Sequence, residues 1–276
     1  MSRYAKQDNA LHEVTERYAK VDGVWRTVMA RYAKQNGAWI QVYSSGKKLS
    51  DLPVGSLLKL AENGVPQQYI IVNQGNPDAT LYDASCNGTW VLRKDISESR
   101  VWDSSNYNRY NFSTIAPYLN TTFFNTLSQN VQNSIITVKI PYCGGYKTET
   151  YTIMSGTSGL SAKVFLLSLK EFGENYYSLI ADGAKLSYFE SGKSDSANLK
   201  RVAYLNNSPA AYWTRSTYGG NDYIACMVWE QGEFYDSKMG LGMASSSSHG
   251  IRPAMILNSA ALASSSPDSD GCYTLQ

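Results

Sequence analysis

Two apolar strands, each interrupted by one arginine, constrain this chain more than anything else in it. The first reads Tyr212-Trp213-Thr214-Arg215-Ser216, the second Gly250-Ile251-Arg252-Pro253-Ala254-Met255-Ile256-Leu257. A guanidinium in such a strand must spend its donors on carbonyls or carboxylates to offset desolvation. Arg215 and Arg252 are therefore expected to pin loop backbone to a core, with clamping of a ligand anion as the alternative. Trp213, Arg215, Gly250, Arg252 and Pro253 all lie in these two expected structural strands.

Between these strands the composition changes. Tyr218, Asn221, Asp222, Tyr223, Trp229, Glu230, Phe234, Tyr235, Asp236, Lys238, Met239, Met243, Ser245, Ser247 and His249 crowd a stretch punctuated by glycines. Tyrosine supplies broad amphipathic contact at low rotamer cost, and Ser, Gly and Asn adapt their hydrogen bonding, as in antibody-like binding loops. Alternation would turn Ile224, Cys226 and Val228 inward and Tyr223, Ala225, Met227 and Trp229 outward. These residues are the expected ligand-binding face, spanning about 217–249; an ordinary loop-rich core is the alternative.

The start of the chain has another pattern. Arg-Tyr-Ala-Lys recurs at Arg3, Arg17 and Arg31, a period of 14 residues. Asp22-Gly23 and Asn36-Gly37 within the second and third copies are strong hairpin signals, since type I′ turns need positive φ at both central residues. Residues 1–46 are expected to form an arm of three short β-hairpins, with a degenerate first copy. Hairpins this short are marginal alone, which points to anchoring or oligomerisation. Ser44 to Lys48 reads as a polar linker, and residues 50–276 as one α+β domain. Within it, Gln68–Val72, Thr89–Leu92, Ile136–Ile140 and Lys163–Leu167 are predicted strands. Phe123, Leu127, Val131 and Ile135 at i+4 predict a helix of three to four turns. Ser168 and Glu171 have capping-box spacing ahead of Gly173.

Chemistry-bearing patterns are sparse. The only histidines are His12 and His249, there is no GxSxG elbow, and neither phosphate-binding glycine motif occurs. No metal or cofactor is expected, Asp268 and Asp270 reading as a solvated tail. Cys86, Cys143, Cys226 and Cys272 lack CxxC spacing and are expected to be structural thiols. With a formal charge of +2 and no Lys/Arg run beyond two residues, nucleic acid is not an expected partner. The N-terminus lacks a signal-peptide pattern and no apolar run could span a bilayer, so synthesis in a cytoplasm without membrane insertion is expected.

An ordered set of motifs carries a resemblance: Asp51-Leu52-Pro53-Val54-Gly55, Cys86-Asn87-Gly88-Thr89-Trp90, Tyr118-Leu119-Asn120, Val138-Lys139-Ile140-Pro141-Tyr142, Leu186-Ser187-Tyr188-Phe189, Arg201-Val202-Ala203-Tyr204-Leu205-Asn206, and the two arginine-bearing strands. Over residues 50 to 276 the chain resembles phage and prophage proteins of gut Firmicutes that carry a DUF6273-type domain. The resemblance implies a C-type-lectin-like fold related to formylglycine-generating enzymes. It also implies a variable protein of diversity-generating retroelements, in which Trp213, Arg215, Gly250, Arg252 and Pro253 are constant scaffold and the residues between them vary. The function implied is a tail-associated receptor-binding adhesin of the virion, without catalysis. Its expected partners are a bacterial surface protein or glycan, other tail proteins through the N-terminal arm, and further copies of itself, with a trimer as the candidate assembly. Met239, Leu241, Met243 and Trp229 stand where Tyr/Asn mixtures are the pattern. The calcium-lectin triplets EPN, QPD and WND are absent. A glycan- or wall-degrading enzyme, with carboxylates among Asp222, Glu230, Glu233 and Asp236, is the alternative, as is a purely structural tail component.

Overall fold

Aliphatic and β-branched side chains concentrate in short runs, and eleven of these runs pair into two sheets. The structure, a computed structural model, describes residues 4–7, 10–13, 18–28, 30–35, 38–44, 46–105, 107–147, 150–174, 182–218, 223–234, 241–243 and 248–276. The sheet strands are β1 (Leu57–Glu62), β2 (Val65–Gln74), β3 (Thr89–Arg93), β4 (Glu98–Val101), β5 (Val164–Phe165), β6 (Tyr212–Thr217), β7 (Ile224–Val228), β8 (Leu241–Met243), β9 (Ser248–Ile251), β10 (Ala254–Leu257) and β11 (Cys272–Thr274). One sheet has the order β5-β10-β3-β2-β1-β11, the other β4-β9-β6-β7-β8. The architecture is mixed, with many strands and few, short helices. Among the described residues no helix is long and apolar enough to cross a membrane.

The centre of the six-stranded sheet is apolar on both faces. Ile70, Ile71 and Val72 of β2, Trp90, Val91 and Leu92 of β3, and every residue of β10 are buried. That is why these strands read as continuous apolar runs rather than as alternation. Trp90 sits at a register shift between β3 and β2, its indole Nε1 donating to the carbonyls of Gly75 and Cys86 at 3.0 and 3.1 Å. Its ring meets Tyr82 and Phe165 edge-on. The bulge thus trades one irregular ladder step for a satisfied, fully buried tryptophan.

The chain passes from one sheet to the other at Arg252-Pro253, between β9 and β10. Gly250, just before this crossing, packs against Ile96 so closely that a Cβ there would lie 2.7 Å from the isoleucine side chain.

Elsewhere the structure departs from the sequence expectations in instructive ways. Phe123, Leu127 and Val131 are buried as the i+4 pattern requires, but the expected single helix is broken. A helical segment through Thr126 ends because Leu127 turns extended (φ −71°, ψ 139°), and Gln129–Ser134 starts a second helix. The backbone at the break bonds instead to the β1–β2 turn: Asn63 N–H to Thr126 O, and Ser128 N–H to Ala61 O. The capping box is present, Ser168 Oγ accepting from Glu171 N–H and Glu171 accepting from Ser168 N–H, yet it caps only a turn that Gly173 closes at φ +89°. The predicted strands at 136–140 and 163–167 shrink to Val138–Ile140 and Val164–Phe165. The supposed linker also joins the domain, since Lys47–Lys48 pairs with Leu262–Ala263.

At the N-terminal end, Tyr4–Gln7 pairs antiparallel with Ala10–Glu13, Tyr18–Val21 with Val24–Thr27, and Ala30–Gln35 with Ala38–Ser44. Asp22 and Gly23 both have positive φ (50° and 81°), the backbone a two-residue I′ turn demands. The turn Asn36-Gly37 lies outside the described residues.

Candidate functional site

The five-stranded sheet positions the expected face, and its middle strand is wholly interior. All six residues of β6 are buried, four of them polar: Thr214, Arg215, Ser216 and Thr217. Arg215 spends its donors on the Pro141 carbonyl (3.0 Å), the Leu166 carbonyl (3.0 Å), the Asp182 carbonyl (2.8 Å) and both oxygens of Glu171 (2.5 and 2.6 Å). Tyr82 donates its hydroxyl to the same carboxylate at 2.7 Å. Burial works against the Arg215 charge, but Glu171 outweighs it and raises the guanidinium's pKa. An arginine paired and bonded in this way holds three loops to one strand and has no donor left for a ligand.

Next to this pair lies a less settled carboxylate. Asp182 accepts from Ser216 Oγ at 2.9 Å through Oδ2, while its Oδ1 is buried and meets no partner among the described residues. Burial, only partly countered by Arg215, pushes its pKa up to about 6.

Arg252 is also interior. Its Nε donates to Arg93 O, and its Nη1 to Arg201 O and to the Tyr212 hydroxyl. A third buried guanidinium, unforeseen in the sequence, does similar work. Arg201 reaches the carbonyls of Gly232, Phe172, Glu190 and Gly192 and the amide oxygen of Asn198. Burial lowers the Arg201 pKa, and no carboxylate bonds to it among the described residues. Only its place beside the apolar run Val202-Ala203 hinted at this role.

The expected face divides on inspection. Phe234 does not belong to it: the ring is 2% exposed and lies beneath the Arg201 guanidinium, 4.2 Å from its centroid. The alternation along β7 fails for a related reason. Ala225 and Met227, expected outward, are as buried as Cys226 and Val228, because both faces of that strand are covered. Trp229 is half-buried and packs against the core. Tyr223 and Glu230 are exposed, Tyr218 is half-buried, and Gly250, Pro253 and Trp213 are buried. His249 is half-buried edge-on to Trp213 at 4.7 Å, and burial lowers its pKa, which keeps the imidazole neutral near pH 7. Asn221, Asp222, Tyr235, Asp236, Lys238, Met239, Ser245 and Ser247 lie outside the described residues, as does the Met243 side chain.

The base of the 218–224 connection is clamped from outside. Tyr218 N–H donates to Ile224 O, and Asn108 Nδ2 donates to the carbonyls of both Tyr218 (3.2 Å) and Ile224 (2.9 Å). Asn108 belongs to Tyr107-Asn108-Arg109-Tyr110-Asn111-Phe112, a run the sequence reading passed over although its Tyr/Asn/Arg composition matches the expected face. Tyr107 and Phe112 of this run are 50% and 69% exposed. Exposed aromatics therefore flank a joint whose backbone is fixed.

Thiol and carboxylate chemistry elsewhere is muted. No disulfide joins the cysteines, all of which are buried. Burial raises the pKa of Cys86 to about 12 and those of Cys226 and Cys272 as well, so these three thiols stay protonated. Asp268 and Asp270 are exposed to solvent, as expected, but are tied down rather than loose. Lys59 bonds both, at 2.7 and 2.5 Å, and the strand β11 that follows pairs parallel with β1. No cluster of metal-ligating side chains occurs among the described residues.

Residues 87–259 match a family described only as a domain of unknown function, DUF6273, and as they make up more than half of the sequence, the chain belongs to that family. No curated protein and no solved structure matches it.

Proposed function

We propose that this DUF6273 protein is a receptor-binding adhesin of a phage tail, with a C-type-lectin-like domain that presents its 217–249 segment to a bacterial surface. The observation that carries the reading is the contrast at the edge of the five-stranded sheet. Arg215, Arg252 and Arg201 bond backbone carbonyls, Glu171, the Tyr212 hydroxyl and the Asn198 amide, while Tyr223 stands exposed beside a loop joint clamped by Asn108. A rigid support beneath exposed, amphipathic aromatics is what a binding face requires, because side-chain identity there can change without loss of the fold. The paired strands of residues 4–44 would attach the protein to the tail and bring copies together, and several copies would convert weak single contacts into lasting adhesion. Variation of the segment by a retroelement would be compatible with this division.

The test is adhesion of multimerised full-length protein to bacterial envelopes. Binding that falls at least tenfold in a Tyr218→Ala, Tyr223→Ala, Tyr235→Ala triple variant of unchanged melting temperature supports the face. Undiminished binding by that variant overturns it.

A further inference from the structure

Beside the Asn108 clamp, Asp103, Ser105, Tyr107, Arg109 and Phe112 line a cleft of about 310 Å³. That is the small end of the range for clefts that hold ligands. We infer that this cleft is a saccharide subsite that takes a neutral pyranose unit of a surface glycan. The inference names a ligand class for the region proposed above as an adhesin face, and it rests on that reading in so far as the glycan is a receptor.

Four features converge on this ligand. Phe112 and Tyr107 are the most exposed aromatic rings of the region, and an exposed ring offers a flat apolar face on which the C–H face of a sugar can rest. Arg109 lies near the Tyr107 ring, 5.7 Å from its centroid, and its Nε is buried without a partner among the described residues. Its guanidinium is donor-only, so it can give hydrogen bonds to sugar oxygens in the cleft it lines. Asp103 is 3% exposed, and its Oδ2 accepts from the N–H groups of Ser105 and Tyr107 at 3.0 and 3.1 Å. Its Oδ1 takes no part in that turn and is an acceptor fixed in position. A pyranose hydroxyl donates and accepts at once, so it suits a cleft lined by both a carboxylate and a guanidinium. The two charges offset one another, which favours a neutral sugar over an acidic one. Asn108 then makes the cleft part of the same rigid unit as the Tyr218–Ile224 joint.

Saturation-transfer difference NMR on the full-length protein reads this directly, with methyl glycosides of glucose, galactose, mannose and N-acetylglucosamine as probes and glucuronate as the charged control. At least one neutral glycoside should give saturable transfer with Kd on the order of 1–10 mM, and glucuronate should bind at least several-fold more weakly. Phe112→Ala and Arg109→Gln should each weaken that binding tenfold or more without moving the melting temperature. Two results would overturn the proposal: no transfer to any neutral glycoside, or transfer equal in wild type, Phe112→Ala and Arg109→Gln. Tyr223→Ala separates the two readings. If it abolishes envelope adhesion but leaves glycoside transfer intact, the cleft stands as a distinct subsite. If the wild-type protein adheres to no envelope while transfer persists, the adhesin reading fails and the cleft survives.

Discussion

Arg215 and Arg109 show the same side chain in two opposite conditions. Arg215 is fully buried, bonds three carbonyls and shares both oxygens of Glu171, so that its charge and its geometry are consumed by the fold. Arg109 lines an open cleft with its Nε unsatisfied. The contrast teaches that a guanidinium serves as support where the fold meets all its donors, and is left for recognition where the fold does not. Residue type alone does not separate scaffold from surface here; the state of the donors does.

The largest effect expected from breaking this division is at Arg215. Arg215→Ala strands a buried carboxylate and three carbonyls and should cost about 3–5 kcal/mol, so denaturant unfolding should show a drastic loss of stability or no folded protein at all. Arg215→Lys should recover little, since an ammonium cannot span Glu171 and the three carbonyls together. A stable Arg215→Ala protein would dissolve the comparison.

Asp182 provides the next test, and the sign of its effect is opposite. Its pKa is raised from the ordinary aspartate range to about 6, so its favourable contribution is full below about pH 4 and is lost as the pH rises through 6. Asp182→Asn removes the charge and should therefore stabilise the protein by about 1–3 kcal/mol above pH 6.5, with the gain shrinking to nothing near pH 4. Melting temperatures across that range would show it; a gain independent of pH would mean that the carboxyl is not the source. Gly250→Ala should destabilise by about 1–3 kcal/mol, because the new methyl meets Ile96 at 2.7 Å inside a packed interior. On the rim the expected effect is smallest. Tyr107→Ala, Phe112→Ala and Tyr223→Ala should each shift stability by no more than about 0.5 kcal/mol. A loss above 2 kcal/mol at any of them would reassign that ring from recognition to support.

The sequence was informative where burial is two-sided. The runs at 70–72, 90–92 and 254–257 are apolar without alternation and are neighbouring interior strands of the larger sheet. It misled where coverage by other segments decides a residue's fate. Alternation at 223–229 promised one open face, but Ala225 and Met227 are covered, a fact set by parts of the chain far from them. Phe234 looked like a surface anchor and instead carries Arg201, whose carbonyl partners are spread over residues 172 to 232. No local pattern encodes such a gathering. The helix break at Leu127 is similar, since the competing bonds come from Ala61 and Asn63. At 107–112, by contrast, the Tyr/Asn/Arg composition is itself a local cue to an exposed face.

The position of β10 has a consequence for how the protein comes into being. Ala254–Leu257 lies between β3 and the edge strand β5, so the larger sheet has a gap beside its edge until a segment more than 160 residues downstream of β3 has been synthesised. Until residues 254–257 have been made, the β3 and β5 edges that face β10 would stay unpaired and apolar, a state prone to aggregation. Closure of the sheet thus waits for a distant segment, and stalled nascent chains ending before residue 254 should be protease-sensitive throughout β1 to β5.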